Sequence, residues 1–354
     1  MSTLRHRNKI LAIREYEECK LRLESKPRAL FVELTQSCNL RCQMCRQSGE
    51  SYFERNMSDS LFNKIATELF PTAEIVDLRG WGESVILPNF SDRLRTVISY
   101  GAIARVVTNL SYSADNVLNL MADFGVLIGA SIDSVFEATT KRFRIGADHG
   151  LVMRNIEYLC KIYSSRGNLD KLTVYCTCHK GNIAEVPELV NVLGNIGIKN
   201  ISLSPVTIDH TSELSLTTVN TEPHILHAQK NALRCGVKLN LLAMLNEKTT
   251  TNHIKPPCLH PWTYLYITYD GRLGFCDHLN GPNGEPWLMG DIHQQGHEIM
   301  WNSPRMISLR KEHLEARQEN VIDFKECAWC YKNRYIDFED MLIPKLSFQK
   351  ENLA

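Results

Sequence analysis

Cys38, Cys42 and Cys45 stand in one short stretch, Cys38-Asn39-Leu40-Arg41-Cys42-Gln43-Met44-Cys45, directly after the strand-like run Ala29–Leu34. Gaps of three and two residues let a single loop turn three thiolates, which are soft ligands, onto one face of an iron–sulfur cluster. A fourth iron would then have no cysteine, because Arg46 to Glu50 contains neither Cys nor His. Such an iron is free to bind a small molecule and pass it an electron. A structural zinc ion needs a fourth ligand close by, and the same absence argues against it. A second set comprises Cys258, Cys276, Cys327 and Cys330. Cys258 and Cys276 bracket two strand-like runs, Tyr264–Tyr269 and Leu273–Phe275, with Asp270-Gly271 as a hairpin turn. With the later Cys-x-x-Cys pair they make a four-thiolate cage, and the spacing alone suits a cubane or zinc. Thiol–disulfide exchange at Cys327 and Cys330 is a weaker rival, since two further cysteines stand ready.

The elements that must position these thiols alternate. Short β-rich runs (Ala29–Leu34, Ile75–Leu78, Ala104–Thr108, Leu127–Ile132, Leu172–Cys178, Asn200–Ser204) are separated by amphipathic segments (Ser58–Phe70, Phe90–Ser99, Ala114–Phe124, Leu151–Tyr163, Val186–Leu193). Such β–α alternation predicts an α/β fold with a parallel sheet. The first cysteine loop then lies just past the C-terminal end of the first strand, where α/β barrels build their sites. Asn8–Glu24 is expected to be a helix with Cys19 as a small buried hydrophobe, and Cys160 falls at core positions of its helix. We divide the chain into an N-terminal helix (1–28), a core domain (29–245), a second cysteine domain (246–335) entered through a linker, Asn246–Pro257, and a tail (336–354).

Of the 354 residues, 44% are hydrophobic, which supports one large core or two moderate ones. Forty basic residues balance forty acidic ones, against a nucleic-acid partner. No apolar run approaches the ~20 residues that span a bilayer, and no apolar segment follows the basic start, so neither a membrane partner nor a secretory signal is expected. A cytoplasmic protein with twelve cysteines is most simply one in which many bind metal.

The first cysteine loop resembles the signature of the radical S-adenosylmethionine (SAM) superfamily, in which the open iron chelates SAM. Met44 stands where that family usually has an aromatic residue, and a thioether can pack against adenine. After the second strand, Arg79-Gly80-Trp81-Gly82-Glu83-Ser84 looks like the family's Gly-Gly-Glu motif with Trp81 replacing a glycine. There Gly80 and Gly82 would admit a close backbone approach, and Glu83 would accept from the SAM amino group. The resemblance also implies that Ser131, ending the fourth strand, meets the ribose or sulfonium region. Arg144 would pair with the SAM carboxylate; the plainer reading is a solvated arginine at a helix start. Asn109, closing the third strand, is a further pocket candidate. The second cysteine set resembles the twitch domain, a shortened SPASM domain, and because no cysteine follows Cys330 it would hold one auxiliary cluster. The family implies a partial (βα)6 TIM barrel of radical SAM type with a small C-terminal α+β auxiliary cluster domain. Its cofactors would be two [4Fe–4S] clusters and SAM, with flavodoxin or ferredoxin as reductant.

By the same resemblance, reductive cleavage of SAM gives a 5′-deoxyadenosyl radical that removes hydrogen from a substrate C–H, and electron loss to the auxiliary cluster completes a two-electron dehydrogenation. The expected substrate is a carbinol of a polyol, aminosugar or cyclitol in antibiotic biosynthesis. The 28 residues before the first strand are too few for the winged-helix recognition domain often found in peptide-modifying members. Maturation of a short ribosomal peptide is one alternative. Epimerisation is another, with a hydrogen returned by Cys176 or Cys178, if their shared strand face points into the barrel, or by Cys235; structural packing is the plainer reading of each thiol. The catalytic base is not named, although His179 and His210 lie near strand ends. A non-catalytic iron–sulfur or zinc scaffold belongs to a different class, and Glu83 and Arg144 in their places count against it.

Overall fold

The structure, a computed structural model, describes residues 3–45, 54–206, 213–241, 244, 258–276, 288–294, 296–319 and 327. Its strands are β1 (Ala29–Val32), β2 (Arg41–Cys42), β3 (Ile75–Asp77), β4 (Ile103–Thr108), β5 (Leu127–Ser131), β6 (Arg144–Ile145), β7 (Leu172–Cys178), β8 (Asn200–Pro205), β9 (Lys238–Asn240), β10 (Tyr264–Ile267), β11 (Arg272–Gly274) and β12 (Gly290–Asp291). Ten of them form one sheet in the order β12-β11-β10-β1-β3-β4-β5-β7-β8-β9. Every neighbouring pair from β10 to β9 is parallel. The six expected strands are β1, β3, β4, β5, β7 and β8, with helices such as Asp59–Leu69, Phe90–Ser99 and Asp115–Asp123 between them.

Helices cover the outer face of this sheet, whereas on the inner face Thr173, Tyr175 and Thr177 of β7 are half-exposed. Side chains alternate between the faces. Leu30, Val32, Val76, Val106, Ile128, Val174 and Ile201 join the helices in one large core. Ala29, Phe31, Ile75, Tyr264 and Tyr266 make a separate cluster on the opposite, inner face. Truncating Leu30, which is fully buried, to Ala would cost about 2–5 kcal/mol. Helix boundaries follow local chemistry. Ser58 caps Asp59–Leu69 by accepting from Leu61 N (3.2 Å), and Asp148 caps His149–Ser165 by accepting from Leu151 N (2.9 Å).

Two expectations are corrected. The first helix spans Thr3–Glu17, not Asn8–Glu24, because Cys19 takes a φ of 55° and turns the chain back. Its returning arm is held by the Glu15 carboxylate, which accepts from Glu24 N (2.7 Å) and Ser25 N (3.1 Å). Cys19 is exposed, not a buried hydrophobe. The hairpin β10–β11 joins the core sheet directly, since β10 pairs with β1 from Ala29↔Tyr264 to Val32↔Ile267. Arg310 secures this junction by donating to Pro261 O (2.9 Å), Leu21 O (2.8 Å) and Trp301 O (2.7 Å). Among the described residues no helix is long and apolar enough to cross a membrane.

Candidate functional site

The cysteine loop leaves β1 and is pinned from two sides. On one side β2 pairs antiparallel with β6, setting Cys42 opposite Arg144 and Arg41 opposite Ile145. Gln43 extends the pairing, its backbone N donating to Phe143 O (2.9 Å) and its Nε2 to Arg142 O (2.9 Å). Gly146, at a φ of 94°, lets this strap close in, since a Cβ there would lie 3.2 Å from Asn39 O. On the other side Asn39 donates to Ser111 O (2.7 Å) and accepts from Asn109 Nδ2 (2.8 Å). Met44 is buried with Phe143 and Leu214.

Cys38, Cys42 and Cys45 are half-buried. Burial pushes the Cys38 thiol up to about 12, with Glu83, Cys42 and Cys45 adding repulsion. Burial likewise pushes Cys42 up to about 11, and the Arg144 charge draws it partly back. Thiols held this high ionise only when a metal takes up the charge. Three thiolates carried on one loop suit a cubane, in which each binds its own iron.

Glu83 lies beside this loop and is buried. Its Oε2 accepts from Asn109 N (2.7 Å), while its Oε1 has no hydrogen-bond partner among the described residues. Burial pushes the carboxyl up to about 7, and the Asn109 N–H, the Thr108 hydroxyl, the Val85 N–H and the Arg144 charge draw it partly back. A buried acceptor left empty is costly and calls for a donor. The ammonium group of SAM is such a donor, so the residues present fit that ligand.

Gly80 and Gly82 also make room within the chain itself. A Cβ at Gly82 would lie 2.2 Å from Ser37 O, and one at Gly80 2.5 Å from Glu33 Cγ. They admit the close approach of the Glu33 side chain and of the Thr35–Ser37 backbone. Gly82 N donates to Thr35 O (3.1 Å) and Glu83 N to Ser37 O (2.8 Å), which fixes Glu83 against the cysteine loop. Asn109 acts similarly, as the brace between Glu83 and Asn39.

Arg144 is half-buried within β6, not on a helix start, and its Nε donates to Asp133 Oδ2 (2.6 Å). Burial works against its charge, but Asp133 and Cys42 more than offset this and raise its pKa above the ordinary guanidinium value. Asp133 is itself set by Thr177 N, which donates to Oδ1 (2.8 Å). Ser131 ends β5 half-buried, opposite Tyr175 of β7.

The inner face carries charges that the sequence reading passed over. Asp77 is ion-paired with Arg105 and with Arg79 Nε (3.0 Å), and Arg105 Nη2 donates to Tyr175 OH (3.4 Å). Gly129 makes room for the Tyr175 ring, since a Cβ there would lie 2.2 Å from it. Alternating charges in otherwise apolar strands, Asp77 and Arg79 in one run and Arg105 in the next, are the signal that marks this lining. Cys176 and Cys178 alternate away from Tyr175 and Thr177 and belong to the outer, helix-covered core, Sγ to Sγ 3.9 Å apart. Cys235 packs against Gly194, between two helices. His179 is buried on the Phe143 ring at 4.3 Å between centroids, and its Nδ1 already accepts from Gly181 N (3.1 Å). His210 lies outside the described residues.

In the second set Cys276 and Cys327 are buried and Cys258 is half-buried, while Cys330 lies outside the described residues. Residues 258–331 match the SPASM family, an iron-sulfur cluster-binding domain, and this span opens on Cys258 and closes one residue past Cys330. The chain is 29% identical over 195 residues to a tungsten-containing aldehyde ferredoxin oxidoreductase cofactor-modifying protein of Pyrococcus furiosus, covering 52% of this chain and 54% of that one. It is 27% identical over 323 residues to the antilisterial bacteriocin subtilosin biosynthesis protein AlbA of Bacillus subtilis, covering 84% and 66%. The chain thus spans about half to two thirds of these curated relatives. SuiB of Streptococcus suis, solved bound to S-adenosylmethionine, shares the fold with a TM-score of 0.64 at 13% identity, over 86% of this chain and 72% of SuiB. SuiB has also been solved bound to the precursor peptide SuiA.

Proposed function

We propose that this chain, whose residues 258–331 match the SPASM iron-sulfur cluster-binding family, is a radical SAM enzyme that oxidises a substrate C–H bond by two electrons in a SAM-dependent radical reaction. The observation that carries this reading is the bare Oε1 of buried Glu83 beside the cysteine loop. When bound, a [4Fe–4S] cluster on Cys38, Cys42 and Cys45 with SAM supplies a hydrogen-abstracting 5′-deoxyadenosyl radical, and an auxiliary cluster on Cys258, Cys276, Cys327 and Cys330 supplies an electron acceptor. Glu83 receives the SAM ammonium group. Arg144, oriented through Nε by Asp133, offers its terminal nitrogens to the SAM carboxylate. Ser131 stands ready for the ribose. A reductase of the flavodoxin or ferredoxin class would feed the first cluster.

Oxidation is favoured over epimerisation because Cys176 and Cys178 face the helices and Cys235 lies between two of them. The substrate class we favour is a peptide, since one relative is named for bacteriocin biosynthesis and the fold neighbour SuiB binds a precursor peptide. A small polyol or aminosugar is the second reading, supported by the hydroxyl-bearing inner face at Ser131, Thr173, Tyr175 and Thr177. The test is product mass after turnover in D2O with candidate peptides and polyols. An unlabelled product lighter by two mass units, with one 5′-deoxyadenosine each, is expected. A product of unchanged mass apart from one deuterium would replace oxidation by epimerisation.

A further inference from the structure

Glu33 follows β1 and is completely buried, yet its role differs from that of Glu83. Its backbone N donates to Ile267 O (2.9 Å) in β10. Its carboxylate is the acceptor for four donors. Oε1 accepts from Trp81 N (3.2 Å) and Tyr266 OH (3.2 Å), and Oε2 from Gln36 Nε2 (3.2 Å) and Tyr269 N (3.3 Å). These donors come from the loop that carries Glu83, from the approach to Cys38, and from the hairpin β10–β11 of the cysteine-bearing C-terminal segment.

Three backbone N–H groups hold the Glu83 loop on the chain leaving β1. Gly82 and Glu83 donate to the carbonyls of Thr35 and Ser37, fixed within that chain itself. Trp81 donates instead to a side chain that the hairpin shares. Gly80 rests against the same side chain, with no space for a Cβ. A buried carboxylate is expensive, and only a full set of donors offsets its lost hydration. A shift of Tyr266 or Tyr269 therefore changes the acceptor that Trp81 sees, and through it the placing of Glu83.

We infer that Glu33 is a positioning residue that couples the hairpin β10–β11 to the Gly80–Glu83 loop, so that the C-terminal segment sets the affinity for SAM. This rests on the SAM reading given above. Hydrogen bonds to a charged group carry enough energy for such coupling to be measured.

The experiment uses the full chain, reconstituted anaerobically, as wild type, Glu33→Gln, Tyr266→Phe and the double variant. Iron per chain and the Kd for SAM are measured on each. Iron at the wild-type level is expected throughout, with SAM bound about tenfold more weakly in each single variant. The double variant should be no weaker than Glu33→Gln alone, because both changes cut one connection. A Kd within about twofold of wild type in both single variants, with only the melting temperature lowered, would reduce Glu33 to a structural role. So would strictly additive losses in the double variant. If Glu33→Gln does not fold, Tyr266→Phe decides the matter alone, since it removes one hydroxyl and keeps the ring. A wild type with full iron that binds no SAM would overturn the SAM reading and the coupling with it, an outcome distinct from variants that match a SAM-binding wild type.

Discussion

Glu33 and Glu83 flank the hydrogen bonding of one loop, both stripped of water and both pushed up to about 7 by burial. Glu33 accepts from four donors on three segments, and every one belongs to the protein. Glu83 accepts from Asn109 N, the Thr108 hydroxyl and the Val85 N–H also ease its charge, and its Oε1 completes no hydrogen bond among the described residues. A saturated buried carboxylate organises the fold around it, whereas an unsaturated one holds a place for something that arrives later. The same contrast separates the arginines. Arg310 donates from all three of its nitrogens to carbonyls of its own chain, while Arg144 is oriented through Nε by Asp133.

The largest effect expected from breaking this contrast comes at the thiols. Replacing Cys38, Cys42 and Cys45 together by Ala should abolish 5′-deoxyadenosine formation and lower iron from about eight to about four per chain, four for each cubane. Iron already near four in the wild type, with zinc making up the difference, would contradict an iron–sulfur cluster in the SPASM segment.

Next comes the bare oxygen itself. Glu83→Gln should weaken SAM binding ten- to over a hundredfold, the equivalent of about 1.5–3 kcal/mol, with iron retained. Arg144→Leu should act in the same direction and also leave Asp133 without its ion-pair partner. Equal affinity in both variants would remove the assigned roles.

The same substitution should have the opposite sign on stability. The folded-state pKa of Glu83, about 7, lies above its ordinary value of 4.5. Its contribution to stability is therefore fully present below the unfolded value and lost as pH rises through about 7. Without ligand, Glu83→Gln should gain on wild type as pH rises from about 5 to about 8, by at most about 3 kcal/mol. Melting curves across that range check this. SAM binding in the wild type should run the other way, strengthening as the carboxylate ionises.

The smallest effect is expected at Cys176→Ala and Cys178→Ala. Both thiols sit in the outer core, so stability should fall by about 1 kcal/mol each while product mass and labelling stay as in wild type. Loss of a deuterium label in either variant would place that thiol at the substrate.

Much of the site was legible because its signals are short in sequence. The spacing of Cys38, Cys42 and Cys45 after a strand, and of Glu83 after the next, is local chemistry on regular elements. The strand–helix alternation likewise announced the parallel sheet. What escaped depends on pairing between distant segments. The contacts of Gly80 with Glu33 and of Gly82 with the Ser37 backbone join segments more than forty residues apart. The partner of Arg144 is Asp133, eleven residues away, and Asn109 acts on Glu83 and Asn39 from another strand. Cys176 and Cys178 share one face of β7, but which face depends on register, and a shift of one residue reverses it. The four donors to Glu33 include two from a hairpin more than two hundred residues away, which no local pattern records.

The most direct measurement is 5′-deoxyadenosine formed by anaerobically reconstituted protein given SAM and dithionite, in wild type beside Glu83→Gln at the same iron content. Wild type is predicted to cleave SAM, and Glu83→Gln to fall at least about tenfold behind at limiting SAM. Wild-type protein with its full iron that releases no 5′-deoxyadenosine, or a Glu83→Gln variant that keeps pace with it, would contradict the account.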